Sequence, residues 1–251
     1  MRNKIIAANW KMNKGTEETK AFFNEFVPAI AELNPTAEVV VSVPFVNLAV
    51  ATEATKGSKV AIAAQNVSQF EKGAYTGEIS VGMLKEIGVE FVVTGHSERR
   101  TIFGETDEVV NAKNCAVLDA GLTAIFCIGE TLEEREGGKL EEVLKTQVTE
   151  GLKGICENGI KQIVVAYEPV WAIGTGVTAS TEQAQEAHAF VRSVLVELYN
   201  EEIAAGVRIQ YGGSMKGANA PELLAQEDID GGLVGGASLE SASFMEIVAS
   251  A

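Results

Sequence analysis

The stretch TAIFCIGETLEEREGGKLEEVLKTQVTEGLKGICENGIKQIVVAYEP, residues 123–169, contains one complete strand, helix and strand unit. Thr123 to Ile128 and Ile163 to Tyr167 are short runs rich in β-branched and apolar residues. They are continuous rather than alternating, as in a parallel sheet covered on its outer face. Between them, Leu140, Val143, Leu144, Val148 and Leu152 recur at three- and four-residue spacing, which predicts an amphipathic helix over Lys139 to Leu152. Working outward, the same strand texture stands at Lys4 to Ala8, Ala37 to Ser42, Val60 to Ala64, Phe91 to Thr94 and Arg208 to Tyr211, and more weakly at Gly232 to Val234. Helical spacing falls at Thr16 to Ala31, Val46 to Ala54, Ser80 to Ile87, Asp107 to Ala120 and Thr181 to Tyr199, with shorter candidates after Gly217 and Glu240. Eight strand-then-helix units follow one another with no linker and no change in composition, so residues 1–251 read as one domain. Eight such units can close edge to edge and leave no strand exposed. The expected fold is therefore an α/β closed (β/α)8 barrel of parallel strands. A doubly wound open sheet is the alternative, but the first turn, NWKMNKG, lacks the Gly-x-Gly-x-x-Gly nucleotide fingerprint.

A hydrophobic fraction of 46% supplies a large core and excludes wholesale disorder. The net charge of -15, from 20 basic against 35 acidic residues, argues against nucleic acid as a partner. A small anion remains possible, because backbone amides and one lysine can invert the potential inside a pocket. Cys115, Cys127 and Cys156 form no close pair, which argues against a disulfide framework or a thiolate metal site. The amino-terminal MRNKIIAANWKMNKG has an apolar run only a strand long, unlike a signal peptide, and no run approaches the ~18 apolar residues of a membrane span. A reducing, cytoplasmic setting without membrane association is expected.

In a barrel of this kind, chemistry gathers just after the carboxyl ends of the strands. Lys11, His96 and Glu168 follow the first, fourth and sixth strands, so residues distant in sequence would share one mouth. A lysine there can balance an anion, a histidine can polarise a carbonyl or relay a proton, and a glutamate can act as a base. Asn9 beside Lys11 and Glu98 beside His96 are further candidates, although Glu98 equally suits a structural ion pair. After Glu168, the segment Pro169, Val170, Trp171, Ala172, Ile173, Gly174, Thr175, Gly176, Val177, Thr178 and Ala179 has an apolar tip bounded by proline and small residues. That composition suits a lid that expels water, or else a rigid loop packed by Trp171. Glycines at 174–176, in YGGSM at 211–215 and in GLVGGAS at 232–238 allow backbone amides to approach an oxyanion, with Ser214 adding a hydroxyl. Cys127 and His188 read as buried structural residues. Sparse histidines and unclustered acids make a catalytic metal unexpected.

The motifs NWKMN around Lys11, GHSERR around His96, AYEPVWAIGTG around Glu168, YGGS at Tyr211 and GLVGGASL after the eighth strand together resemble the triosephosphate isomerase family, in order and spacing from Ala8 to Leu239. The resemblance implies a TIM barrel that interconverts dihydroxyacetone phosphate and glyceraldehyde 3-phosphate in glycolysis and gluconeogenesis, without a cofactor. It implies Glu168 as the base, a neutral His96 of depressed pKa as the electrophile, Lys11 and Asn9 at the developing oxyanion, and Glu98 as a site-associated residue. It further implies that Gly174, Ser214, Gly235 and Gly236 hold the phosphate, beneath a lid that protects the enediolate from elimination to methylglyoxal. Val177 and Met215 depart from the family wording, where lysine and a small β-branched residue are usual. The segment Gln65 to Glu78 resembles the one that enters a second subunit, so a homodimer is implied, with Tyr75 in the interface and Thr76 near the neighbouring catalytic region. An aldolase or lyase using Lys11 as a Schiff base, and a noncatalytic phosphate-binding barrel, are the alternatives.

Overall fold

The structure is a computed structural model that describes residues 2–173 and 178–251. The apolar runs form eight parallel strands: β1 (Ile5–Asn9), β2 (Glu38–Val43), β3 (Val60–Ala64), β4 (Phe91–Thr94), β5 (Thr123–Ile128), β6 (Ile163–Tyr167), β7 (Arg208–Tyr211) and β8 (Gly231–Val234). They pair in sequence order, and β8 returns to β1 with Ile5 opposite Gly231 and Ala8 opposite Val234. Closure leaves no free edge, the arrangement expected from eight repeated units.

Side chains alternate across each strand and build two separate cores. Ile5, Ala7, Val40, Phe91, Val93, Ile125, Cys127, Val164, Ala166 and Leu233 fill the barrel interior. Ile6, Ala8, Val39, Val41, Phe126, Val165 and Ile209 face outward onto the helices. This two-residue period positions the chemistry. The inward stripe of β1 runs from Ile5 and Ala7 through Asn9 to Lys11, and that of β6 runs from Val164 and Ala166 to Glu168.

The outer layer contains helices Thr16–Leu33, Leu48–Ala54, Val81–Glu86, Asp107–Asp119, Leu140–Gly151, Thr181–Leu198, Ala220–Leu224 and Ser241–Val248. Each overlaps an expected helix. Thr16–Leu33 runs past Pro28 to a left-handed cap at Asn34, two residues beyond the expected end. The predicted helix at Val46 instead opens as a 3-10 turn, Phe45–Asn47. Four short helices were not apparent from periodicity: Ser97–Phe103, Leu132–Glu136, Glu157–Ile160 and Glu201–Gly206. Trp10 joins the two ends of the barrel wall. It packs on Phe22 and Phe23, and its indole donates to the Ser238 carbonyl at 3.1 Å, while Phe26 stacks on Phe244 with ring centroids 5.3 Å apart. At the amino end, Arg192 bridges Asp228 and Asp230, and Asp230 also accepts the Ile209 amide.

Among the described residues, no helix is long and apolar enough to cross a membrane, and no group of three or more His, Cys, Asp or Glu is placed to hold a metal ion.

Candidate active site

The carboxyl ends of the strands surround a cavity of about 680 Å³ whose lining includes Asn9, Lys11, His96, Glu168, Ser214, Gly235 and Gly236. These seven residues, selected from five separate motifs in the sequence, are thus brought to one place. Thr178 and Ala179 are the last two residues of the expected lid, Thr178 exposed and Ala179 buried. Gly174, Thr175, Gly176 and Val177 lie outside the described residues.

Lys11 sits just past β1 with φ 51, a left-handed conformation that an L side chain adopts at a cost of order 1 kcal/mol. Two contacts on its own peptide groups hold it there. Its N–H donates to Asn9 Oδ1 at 3.0 Å, and its carbonyl accepts from Gln65 Nε2 at 2.9 Å. Lys11 Nζ is 2.6 Å from Glu98 Oε1, with both side chains partly exposed. Glu98 therefore neutralises a site cation directly. Of the two readings its sequence context allowed, the ion pair is present, and its partner lines the cavity.

His96 ends the turn after β4. Gly95 makes that turn with φ +64, and a Cβ there would meet the Cys127 carbonyl at 3.1 Å. His96 then caps helix Ser97–Phe103, with its Nδ1 accepting the Glu98 N–H at 3.2 Å. With Nδ1 engaged as an acceptor, the proton of a neutral ring resides on Nε2. That atom faces Glu168 Oε1 at 2.9 Å. The other carboxylate oxygen, Oε2, accepts the Ser97 N–H at 3.0 Å. Both residues are buried.

Burial disfavours charge on His96, yet the charge and hydrogen bond of Glu168, aided by Glu98, outweigh it and raise the imidazole pKa. Burial likewise works to raise the Glu168 pKa, but His96, the Ser97 amide and Lys11 together hold it below the ordinary carboxylate range. The depressed histidine pKa expected from the sequence is thus not that of this arrangement, because the carboxylate lies on the ring.

The start of the expected lid is anchored. Pro169 is buried, and Val170–Ala172 forms a 3-10 turn. Trp171 Nε1 donates at 2.8 Å to Glu130 Oε1, which also accepts the Tyr167 hydroxyl at 3.1 Å and pairs with Arg135 at 3.2 Å. The Arg135 guanidinium lies 5.1 Å from the Trp171 ring centroid. Glu130, fully buried, anchors the first turn of the expected lid and is a residue the motifs did not single out. Its signal is positional, since it stands two residues past the end of β5. In the sequence Gln65, which fixes Lys11, stands only at the start of a long connection.

The phosphate candidates present donors. The backbone amides of Ser214, Gly235 and Gly236 make no hydrogen bond among the described residues, while Gly235 and Gly236 accept through their carbonyls from Ser238 and Leu239. Met215 is buried against Gly232. Cys127 is fully buried and its thiol pKa is pushed well up, chiefly by burial. His188 is buried between elements, with Nδ1 at 3.1 Å from the Asp228 carbonyl. Neither lines the cavity.

Tyr75 and Thr76 lie outside this cavity on an exposed loop, where the rings of Tyr75 and Phe70 stack with centroids 4.0 Å apart. That loop's end, Gly77 and Glu78, borders a second cavity of about 310 Å³ that shares Asn9, Lys11 and His96 with the first and adds Glu98 to its lining.

A closed parallel barrel whose strand ends converge a lysine, a histidine and a glutamate beside free amides belongs to the class of barrel enzymes that act at that face. The family model described as triosephosphate isomerase matches residues 4–251. The chain is 51% identical over 248 residues to the triosephosphate isomerase of Latilactobacillus sakei subsp. sakei, covering 99% of this chain and 98% of that one. It is 51% identical over 248 residues to that of Geotalea uraniireducens, with the same coverage of 99% and 98%, and 49% identical over 251 residues to that of Chloroherpeton thalassium, covering both chains fully. The chain belongs to the triosephosphate isomerase family.

Proposed function

We propose that residues 1–251 form one catalytic domain that interconverts dihydroxyacetone phosphate and D-glyceraldehyde 3-phosphate by proton transfer. The observation that carries this reading is the buried Glu168–His96 contact beside Lys11 in a cavity rimmed by free amides. Glu168 removes the proton from the carbon next to the carbonyl. The C–H electron pair forms the enediolate double bond, and the carbonyl oxygen takes the charge. His96 Nε2–H hydrogen-bonds that oxygen, and Lys11 with Asn9 offsets its charge. His96 gives its Nε2 proton to that oxygen and takes the proton of the hydroxyl on the carbon that Glu168 deprotonated. The freed electron pair forms the new carbonyl there, and the double-bond pair takes the proton back from Glu168 at the former carbonyl carbon.

For this to occur, Glu168 moves from His96 and Ser97 onto the substrate carbon. Its departure removes the main contribution raising the histidine pKa, leaving burial and the Glu98 amide at Nδ1 to favour the neutral ring. Ser214, Gly235 and Gly236, with Gly174 from the lid, hold the phosphate through backbone amides. The lid, 169–179, closes over it and excludes water, suppressing elimination of phosphate to methylglyoxal. The family match favours this reading over a Schiff-base aldolase or a noncatalytic binding protein, since the lysine, histidine and glutamate of the expected motifs stand together.

A homodimer accompanies this proposal. Met12, Phe45 and Phe103 are exposed apolar residues lining the second cavity, close to the loop carrying the exposed Phe70, Tyr75 and Thr76. A second copy would cover this face, with Thr76 entering near the neighbour's catalytic region.

A coupled assay with glyceraldehyde 3-phosphate tests the chemistry. Glu168→Gln should lower kcat by about 10²- to 10⁴-fold while KM changes little. Near-parental turnover in that variant would overturn the assignment of the base.

A further inference from the structure

The cavity lining includes another lysine, Lys216, on the loop that carries Ser214. The other cationic groups in the lining are already matched by carboxylates, Lys11 by Glu98 at 2.6 Å and His96, when protonated, by Glu168 at 2.9 Å, while the carboxylate of Glu246, beside Gly217, also lines the cavity. Lys216 forms no ion pair and no side-chain hydrogen bond among the described residues. Its exposed side chain shares the lining with the free amides of Ser214, Gly235 and Gly236.

The lysine is exposed, but its backbone is fixed. Its N–H donates to Asn219 Oδ1 at 2.8 Å, and its carbonyl accepts the Asn219 and Ala220 amides at 3.2 and 3.0 Å. Asn219 Nδ2 also donates to the Ser214 carbonyl at 3.1 Å. One asparagine thereby ties Ser214 and Lys216 into a closed turn, so the root of the lysine is set relative to the rim amides. Only the flexible four-carbon stem remains free to reach toward an arriving anion.

We infer that Lys216 is a specificity-determining cation for the dianionic phosphate group of the substrate, drawing it from solvent onto the amides at Ser214, Gly235 and Gly236. This inference rests on the isomerase reading above. A protein of net charge -15 repels a dianion at a distance, and a lysine at the entrance counters that field where the substrate passes. Lys216 acts on capture rather than on the proton transfers, since the reacting carbon atoms belong to Glu168 and His96. It discriminates phosphorylated trioses from their uncharged parents through an interaction that salt screens.

Lys216→Met keeps the stem and removes the charge. At ~10 mM ionic strength its kcat/KM for glyceraldehyde 3-phosphate should fall about three- to tenfold, with kcat within about twofold of the parent. Near ~300 mM the two proteins should converge, giving the variant the shallower salt dependence. Lys216→Arg should restore the parental slope. Lys161→Met, at the amino end of the barrel just before β6, should leave it unchanged. Calorimetric titration with inorganic phosphate separates this inference from the isomerase reading, because it needs no turnover. Weaker phosphate binding by Lys216→Met, with the thermal midpoint unchanged, supports the inference even if the parent protein fails to isomerise trioses. Parental phosphate affinity and an unaltered salt slope in Lys216→Met would overturn it.

Discussion

Between Ile128 and the buried Glu130 stands Gly129, where a Cβ would lie 1.8 Å from the Glu168 carbonyl oxygen and 2.6 Å from its carbonyl carbon. Backbone cannot yield as a flexible side chain can, so β5 and β6 approach this closely only through the missing side chain. The Gln147 amide group holds Gly129 on both sides, accepting its N–H at 2.8 Å and donating to its carbonyl at 3.1 Å. Gly129→Ala is therefore expected to push Glu168 from its place, lowering kcat about 100-fold and stability by about 3 kcal/mol. Steady-state kinetics with urea unfolding measure both effects, and parental values in the variant would show that the two strands can part without consequence. The glycine had no local motif to announce it. Its necessity arises from a neighbour 39 residues onward in the chain, visible only after the strands pair.

Helix Thr181–Leu198 illustrates at the next scale what a periodic pattern reveals and omits. Its recurring apolar positions locate it within a residue, and they include His188 as a member of the buried face. They do not reveal what the ring meets there: Tyr167 edge-on at 5.7 Å between centroids, Tyr211 at 6.4 Å, the Asp228 carbonyl and the nearby charge of Arg192. Burial is the largest influence and lowers the His188 pKa to about 4. Since the unfolded chain binds this proton near pH 6.5, the neutral ring contributes full stability above that pH and loses it as the pH falls toward 4. The loss approaches about 3 kcal/mol. Urea denaturation from pH 7.5 to 4.5 should show this slope in the parent and a shallower one in His188→Gln. Equal slopes would assign the acid sensitivity elsewhere.

The strands were readable because each is a short continuous run of residues fitted to a doubly covered sheet. The four short helices were not, because one or two turns hold too few apolar positions to establish a period. Helix Ser97–Phe103 matters most among these, since its cap is His96 itself. The resemblance named His96 and Glu168, but neither motif disclosed that they touch in the resting arrangement. Contact between side chains from β4 and β6 is a property of the closed barrel rather than of either segment. The opposing effects on the histidine pKa follow from that contact, which is why the sequence pointed to its free state and the structure to its paired one.

At the scale of the molecule, the exposed apolar residues around the second cavity lie on connections after β1, β2, β3 and β4, one half of the carboxyl face. The proposed dimer should therefore be weakened by charge at its centre. Tyr75→Glu is expected to shift sedimentation at ~1 µM from dimer toward monomer and to lower turnover with it, while Lys145→Glu, on the outer helix Leu140–Gly151, should do neither. Parental protein that sediments as a monomer throughout the micromolar range would sink the assembly.

The return of β8 to β1 has a consequence for how the molecule is made. The first strand to emerge during synthesis must wait for the eighth, Gly231–Val234, before its second edge is paired. The turn that follows β8 also carries Gly235 and Gly236, so the same final stretch completes both the wall and the lining of the cavity. A nascent chain shorter than this has two open edges and an unfinished cavity. The closed ladder thus couples folding and competence in time: neither is acquired by instalments, and both arrive when the last strand does.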